Sequence, residues 1–85
     1  MPRAAIHPPV RTHAGDKNVK RLGANVRRRR LDLGMSQEDL AHAAGLHPTV
    51  IGRLERGDRE PRLGTIVVVS RALTVSPGKL LDGVR

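Results

Sequence analysis

Apolar residues first take up a regular spacing at Val19. Val19, Leu22, Val26 and Leu33 fall at i, i+3, i+7 and i+14, the pattern of one helix face. Arg30 shares that face, between Val26 and Leu33, and Gly34 stands where helices commonly end. Ser36 with Asp39 three residues on forms a capping box, with Asp in place of the preferred Glu. It opens a second helix with Leu40, Ala41 and Ala44 on its apolar face, closed by Gly45. Pro48 suits the first turn of a third helix, in which Ile51 and Leu54 face inward before Gly57. After a polar link over 58–61, Leu63, Ile66, Val67, Ser70 and Leu73 keep helical spacing. Ser76-Pro77 then opens a short last helix through Leu80 and Leu81 to Gly83. Val67-Val68-Val69 is β-branched and suits a buried strand, but its brevity and flanking spacing favour helix. The pattern predicts an all-α fold of five short helices over residues 19–85.

Residues 1–18 show neither period. They hold Pro2, Pro8, Pro9 and Gly15 with Arg3, His7, Arg11, His13 and Lys17, and read as a disordered basic arm. Such an arm can track a duplex or enter a neighbouring minor groove. A tail without a role has the same composition.

Charge narrows the function. The 85 residues carry 16 basic and 8 acidic side chains, a formal net charge of +8. The excess lies before residue 36, and it points to a polyanion: nucleic acid first, an anionic membrane surface second. The chain has no Phe, Trp or Tyr, which argues against single-strand binders that stack bases on aromatic rings. It has no cysteine, so disulfides, thiolate zinc sites and cysteine nucleophiles are excluded. No apolar run is long enough to span a bilayer, and there is no signal-peptide core; an intracellular, cytoplasmic and nucleoid-associated protein is expected. A small, wholly aliphatic core predicts marginal stability, about 3–5 kcal/mol.

The second and third helices, SQEDLAHAAGLHPTVIGRLERG over 36–57, have the length and turn of a unit that sets its second helix in the major groove. With Ile51 and Leu54 buried, Thr49, Gly52, Arg53 and Arg56 are predicted to form one outward stripe. Arg53 can give two parallel hydrogen bonds to a guanine edge, worth about 1–3 kcal/mol of discrimination. A bare backbone at Gly52 would allow close approach to a base. The charges at Arg30 and Glu55 fall at the edge of apolar faces and need partners, so they are expected to pair. Arg27, Arg28 and Arg29 are expected to point elsewhere, mostly into solvent. His7, His13, His42 and His47 lack metal-ligand spacing, and Ser36 and Ser70 lack a base and orienter, so neither a metal nor a catalytic role is expected.

The elements VRRRRLDLGMSQEDLA, AAGLHPTVIGRLERG, REP and RALTVSPGKLLDG, in that order, resemble the Cro/CI-type (xenobiotic-response-element, lambda-repressor-like) helix-turn-helix regulators. The resemblance covers most of the chain and implies five helices, DNA binding and frequent homodimers. To base reading by Thr49, Gly52 and Arg53 it adds His47 at the start of the recognition helix, and it implies phosphate contact by Gln37. Arg56 and Arg59 would meet phosphate, and Arg62 the minor groove; with Arg53, at three-residue steps, these arginines would make a continuous positive edge if the chain turns as in the family. The base-reading role often found at position 48 would be reduced here to an apolar contact from Pro48. The family's matching Arg and Glu support the pairing of Arg30 with Glu55 as a structural contact.

The expected function is sequence-specific binding of a double-stranded operator by a homodimer, with repression ahead of activation and no cofactor. No sensory or catalytic segment is expected, so control would come from concentration, proteolysis or a protein partner. An adaptor or antitoxin-type interaction module with weak, non-specific DNA binding is the alternative; a membrane binder lacks the amphipathic segment it would need.

Overall fold

The computed structural model describes residues 17–85. Five helices follow in order: α1 Lys17–Asp32, α2 Gln37–Ala44, α3 Pro48–Arg56, α4 Leu63–Ala72 and α5 Pro77–Leu80. The valine run of α4 is helical, and no strand occurs among the described residues. The arm assigned to 1–18 lies outside the described residues up to position 16, whereas Lys17 and Asn18 begin α1.

Short-range chemistry sets the ends. The Ser36 hydroxyl accepts from the Asp39 N–H at 2.9 Å, and the Asp39 carboxylate accepts from the Ser36 N–H at 2.9 Å. Gly34, Gly45 and Gly57 each take the left-handed conformation that ends a helix at no Cβ cost. After α1, the Gly34 N–H bonds Leu31 O and the Met35 N–H bonds Arg30 O, the paired closure of a Schellman turn. Ser76 caps α5 through the Lys79 N–H at 3.1 Å.

Leu22 and Val26 of α1, Leu40 and Ala41 of α2, Ile51 and Leu54 of α3, Val69 of α4 with Leu73 at its C-cap, and Leu80 of α5 form one core. Two expected core positions differ. Leu33 lies beyond the end of α1, where the chain is already turning, and is 40% exposed. Leu63 starts α4 and is 73% exposed; the buried face of that helix runs instead through Val69, Ser70 and Leu73, with Ile66 half-buried. Asn25 is a buried polar residue on α1. Its amide donates to Leu80 O and Asp82 O, both at 2.8 Å, and so ties the end of α5 to α1.

The two hydrogen bonds from Ser36, the backbone one foremost, hold the Asp39 carboxyl below its ordinary value, with a smaller pull from His42. A carboxyl lowered by folding contributes fully above its unfolded value, near 3.9, and loses that contribution as pH falls through the lower folded value. Acid melting curves of the protein and of Asp39→Asn are therefore expected to converge at low pH and separate above it. Parallel curves would remove Asp39 from the acid response. Ser36→Ala is expected to cost about 1 kcal/mol at neutral pH.

Candidate nucleic-acid interface

Helix α3 is held from beneath by a buried carboxylate. Glu55 has a side chain 4% exposed. Arg30 reaches it from α1 with both arms of its fork, Nε to Oε2 at 2.6 Å and Nη2 to Oε1 at 2.9 Å. The remaining arm, Nη1, donates to Met35 O at 2.8 Å, in the link to α2. The hydrogen bond to Glu55 raises the Arg30 guanidinium above its ordinary value, against the opposing effect of burial. Gln37 adds a third element, donating from Nε2 to Glu55 Oε1 at 3.1 Å. One carboxylate thus fixes α1, the entry to α2 and α3 relative to one another.

The helices also meet closely away from this pair. Gly23 of α1 lies against the backbone of α3, where an added Cβ would overlap Leu54 O and stand 2.6 Å from Glu55 O. Only a residue without a side chain allows this approach. The sequence shows a glycine inside a helix, but not what it meets.

With the inner face engaged, the outer face is left to Thr49 and Arg53, both exposed. The Arg53 side chain makes no hydrogen bond or ion pair with the described residues, so its donors are available to a ligand. His47 is the N-cap: its Nδ1 accepts from the Thr49 N–H at 3.1 Å. With Nδ1 accepting, Nε2 is the ring nitrogen left to donate. Pro48 holds the first helical position beside it.

Gly52 departs from the expected outward stripe. It is buried, and an added Cβ would lie 3.2 Å from Arg56 Nη1 and 3.8 Å from Gln37 Oε1. Two side chains cover the position, so it presents no bare backbone to solvent. Nor do the four arginines at three-residue steps form one edge. Arg53, Arg59 and Arg62 line a single open groove of about 340 Å³ over Leu46, Val50, Leu54 and Pro61. Arg56 stands apart, its Nε bonded to Asp58 at 2.9 Å.

A buried scaffold holding a short capped helix, with arginines on its free face, is the construction of a helix-turn-helix unit. Residues 26–80 match the helix-turn-helix family model. The chain belongs to the Cro/CI-type helix-turn-helix family. It is 45% identical over 60 residues to control protein C.SmaI of Serratia marcescens, covering 71% of each chain. Among solved structures it is similar to the restriction-modification controller protein C.AhdI of Aeromonas hydrophila. That likeness has a TM-score of 0.74 and 34% identity, over 76% of this chain and 98% of the other. The biofilm master regulator SinR, solved in complex with DNA, matches with a TM-score of 0.68 and 31% identity, over 72% of this chain and 98% of that one.

Two arginines of this helix-turn-helix domain depart from the solvent positions expected of them. Arg29 donates from Nε to Leu73 O and from Nη2 to the Thr74 hydroxyl, both at 3.0 Å. Arg27 turns toward α3, with Nη1 4.0 Å from Glu55 Oε1 and a side chain 60% exposed. Among the described residues no helix is long and apolar enough to cross a membrane, and no group of acidic or histidine side chains could hold a metal.

Proposed function

We propose that this protein is a sequence-specific double-stranded DNA-binding transcriptional regulator. It works as a homodimer that reads the major groove with α3, and repression is its expected mode. The carrying observation is α3 itself: its inner face is locked by Glu55 while Thr49 and Arg53 stand exposed and unengaged on the outer face. The likeness to control proteins supports a regulator of the restriction–modification controller type. Thr49 and Arg53 read bases, with His47 at the entry of the helix offering a ring N–H. Arg59 and Arg62, at the rim of the groove beside Arg53, meet the backbone and the adjoining minor groove. Gly52 serves base reading only indirectly, by leaving room for Arg56 and Gln37.

Selection of bound sequences from random duplexes tests this directly. A two-fold motif with half-sites about one helical turn apart is expected, with two copies bound in sedimentation. Arg53→Ala is expected to relax preference at one position of each half-site by about 1–3 kcal/mol. Equal weakening on operator and random DNA would make Arg53 a phosphate contact. Recovery of no preferred sequence would replace the regulator with an adaptor module.

A further inference from the structure

We propose that Arg27 is a phosphate ligand, which together with Arg56 grips one DNA phosphodiester across Gln37; this rests on the DNA-binding function proposed above. Glu55 Oε1 draws in three side chains, from Arg30 at 2.9 Å, Gln37 at 3.1 Å and Arg27 at 4.0 Å. Arg30 alone matches the carboxylate in charge and in geometry, since its fork takes both oxygens. The charge of Arg27 is therefore surplus to the buried site. Its side chain is 60% exposed and stays at the outer limit of ion-pair distance.

On the other side of Gln37 lies Arg56. Its Nη1 and Gln37 Oε1 both lie over Gly52, at 3.2 and 3.8 Å from where a Cβ would stand. The remaining tie of Arg56 is to Asp58, with side chains 61% and 47% exposed. Exposed pairs of this kind contribute little and exchange readily for another anion. Gln37 is thus flanked by two arginines whose charges are not committed to the core.

Gln37 itself is mostly engaged. One Nε2–H goes to Glu55, and Oε1 faces the Arg56 side. The start of α2 is no better placed to hold an anion alone. Ser36 and Asp39 cap it reciprocally, and Glu38 and Asp39 put two acids in its first turn. Positive charge for a phosphate at this place must come from the flanks, and Arg27 and Arg56 supply it. Gln37 is a positioning residue that sets their spacing and adds one N–H.

The test is the salt dependence of duplex binding by the full chain, on a selected operator and on random DNA. Arg27→Ala is expected to lower affinity roughly tenfold for each protomer bound, as loss of a charged hydrogen bond does. The fall should be the same on both duplexes, the slope of log affinity against log salt should shrink by about 0.9 for each protomer, or about 1.8 for the dimer, and the melting temperature should not move. Arg27→Lys should restore most of the slope. Gln37→Ala should weaken binding with the slope kept, because a neutral side chain releases no counterion. An unchanged slope in Arg27→Ala, with or without a lower melting temperature, would overturn the proposal and leave Arg27 a partner of Glu55 only. Wild-type protein that binds no duplex would remove the DNA function itself, a failure distinct from that of Arg27.

Discussion

Arg30→Ala and Glu55→Ala are each expected to leave little folded protein at ambient temperature. Removing either partner strands the other as a nearly buried charge, and such losses cost about 3–5 kcal/mol. An aliphatic domain of this size holds only about 3–5 kcal/mol in total. Each kcal/mol corresponds to roughly 4–8 °C in melting temperature for a domain this small. The pair also carries more than its own contact. Without Glu55 the Gln37 amide loses its acceptor, and without Arg30 the Met35 carbonyl loses its donor. The measurement is thermal melting of both single variants and the double. Strong coupling is expected, with the double variant close to the worse single one; additive losses would show the two side chains to be independent.

Gly23→Ala is the second large effect. In an isolated helix this change favours folding by about 1 kcal/mol. Here the new methyl would overlap Leu54 O and come within 2.6 Å of Glu55 O. Both are backbone atoms of α3, so no side chain can swing aside and the helices must part. Overpacking of this kind costs about 1–3 kcal/mol, occasionally more. A net loss of up to about 2 kcal/mol is expected, and with it weaker operator binding, because parting the helices moves α3 against the Arg30–Glu55 pair. A rise in melting temperature would show that the approach of α1 to α3 is looser than described.

The helices themselves were legible because their signals are local. Ser36 with Asp39, Ser76 before Pro77, and the glycines at 34, 45 and 57 act within one turn of chain, whatever surrounds them. The pairing of Arg30 with Glu55 was legible too, because a charge on an apolar face has few alternatives. Leu33 and Leu63 went astray where a period was carried past a helix end or up to its first residue. Gly52 went astray for another reason: a helical wheel gives its direction, but not the two side chains that close over it. Gly23, Arg27 and the Gln37–Glu55 hydrogen bond each need two or three helices placed together, and no one-dimensional spacing holds that information. The arginine edge failed at Arg56, where Asp58 two residues on competes for the same side chain.

Helix α3 divides its duties by face, and this bears on how such a regulator can change its target. Ile51, Leu54 and Glu55 hold it in place, whereas the side chains of Thr49 and Arg53 are exposed and make no hydrogen bond with the described residues. Variation at those two outer positions is therefore nearly free of folding consequences. With Thr49 and Arg53 in the base-reading roles proposed above, a lineage can drift to a new operator one side chain at a time without passing through an unfolded intermediate. The same separation makes the helix a platform for retargeting, in which libraries at 49 and 53 that leave out proline and glycine retain their structure.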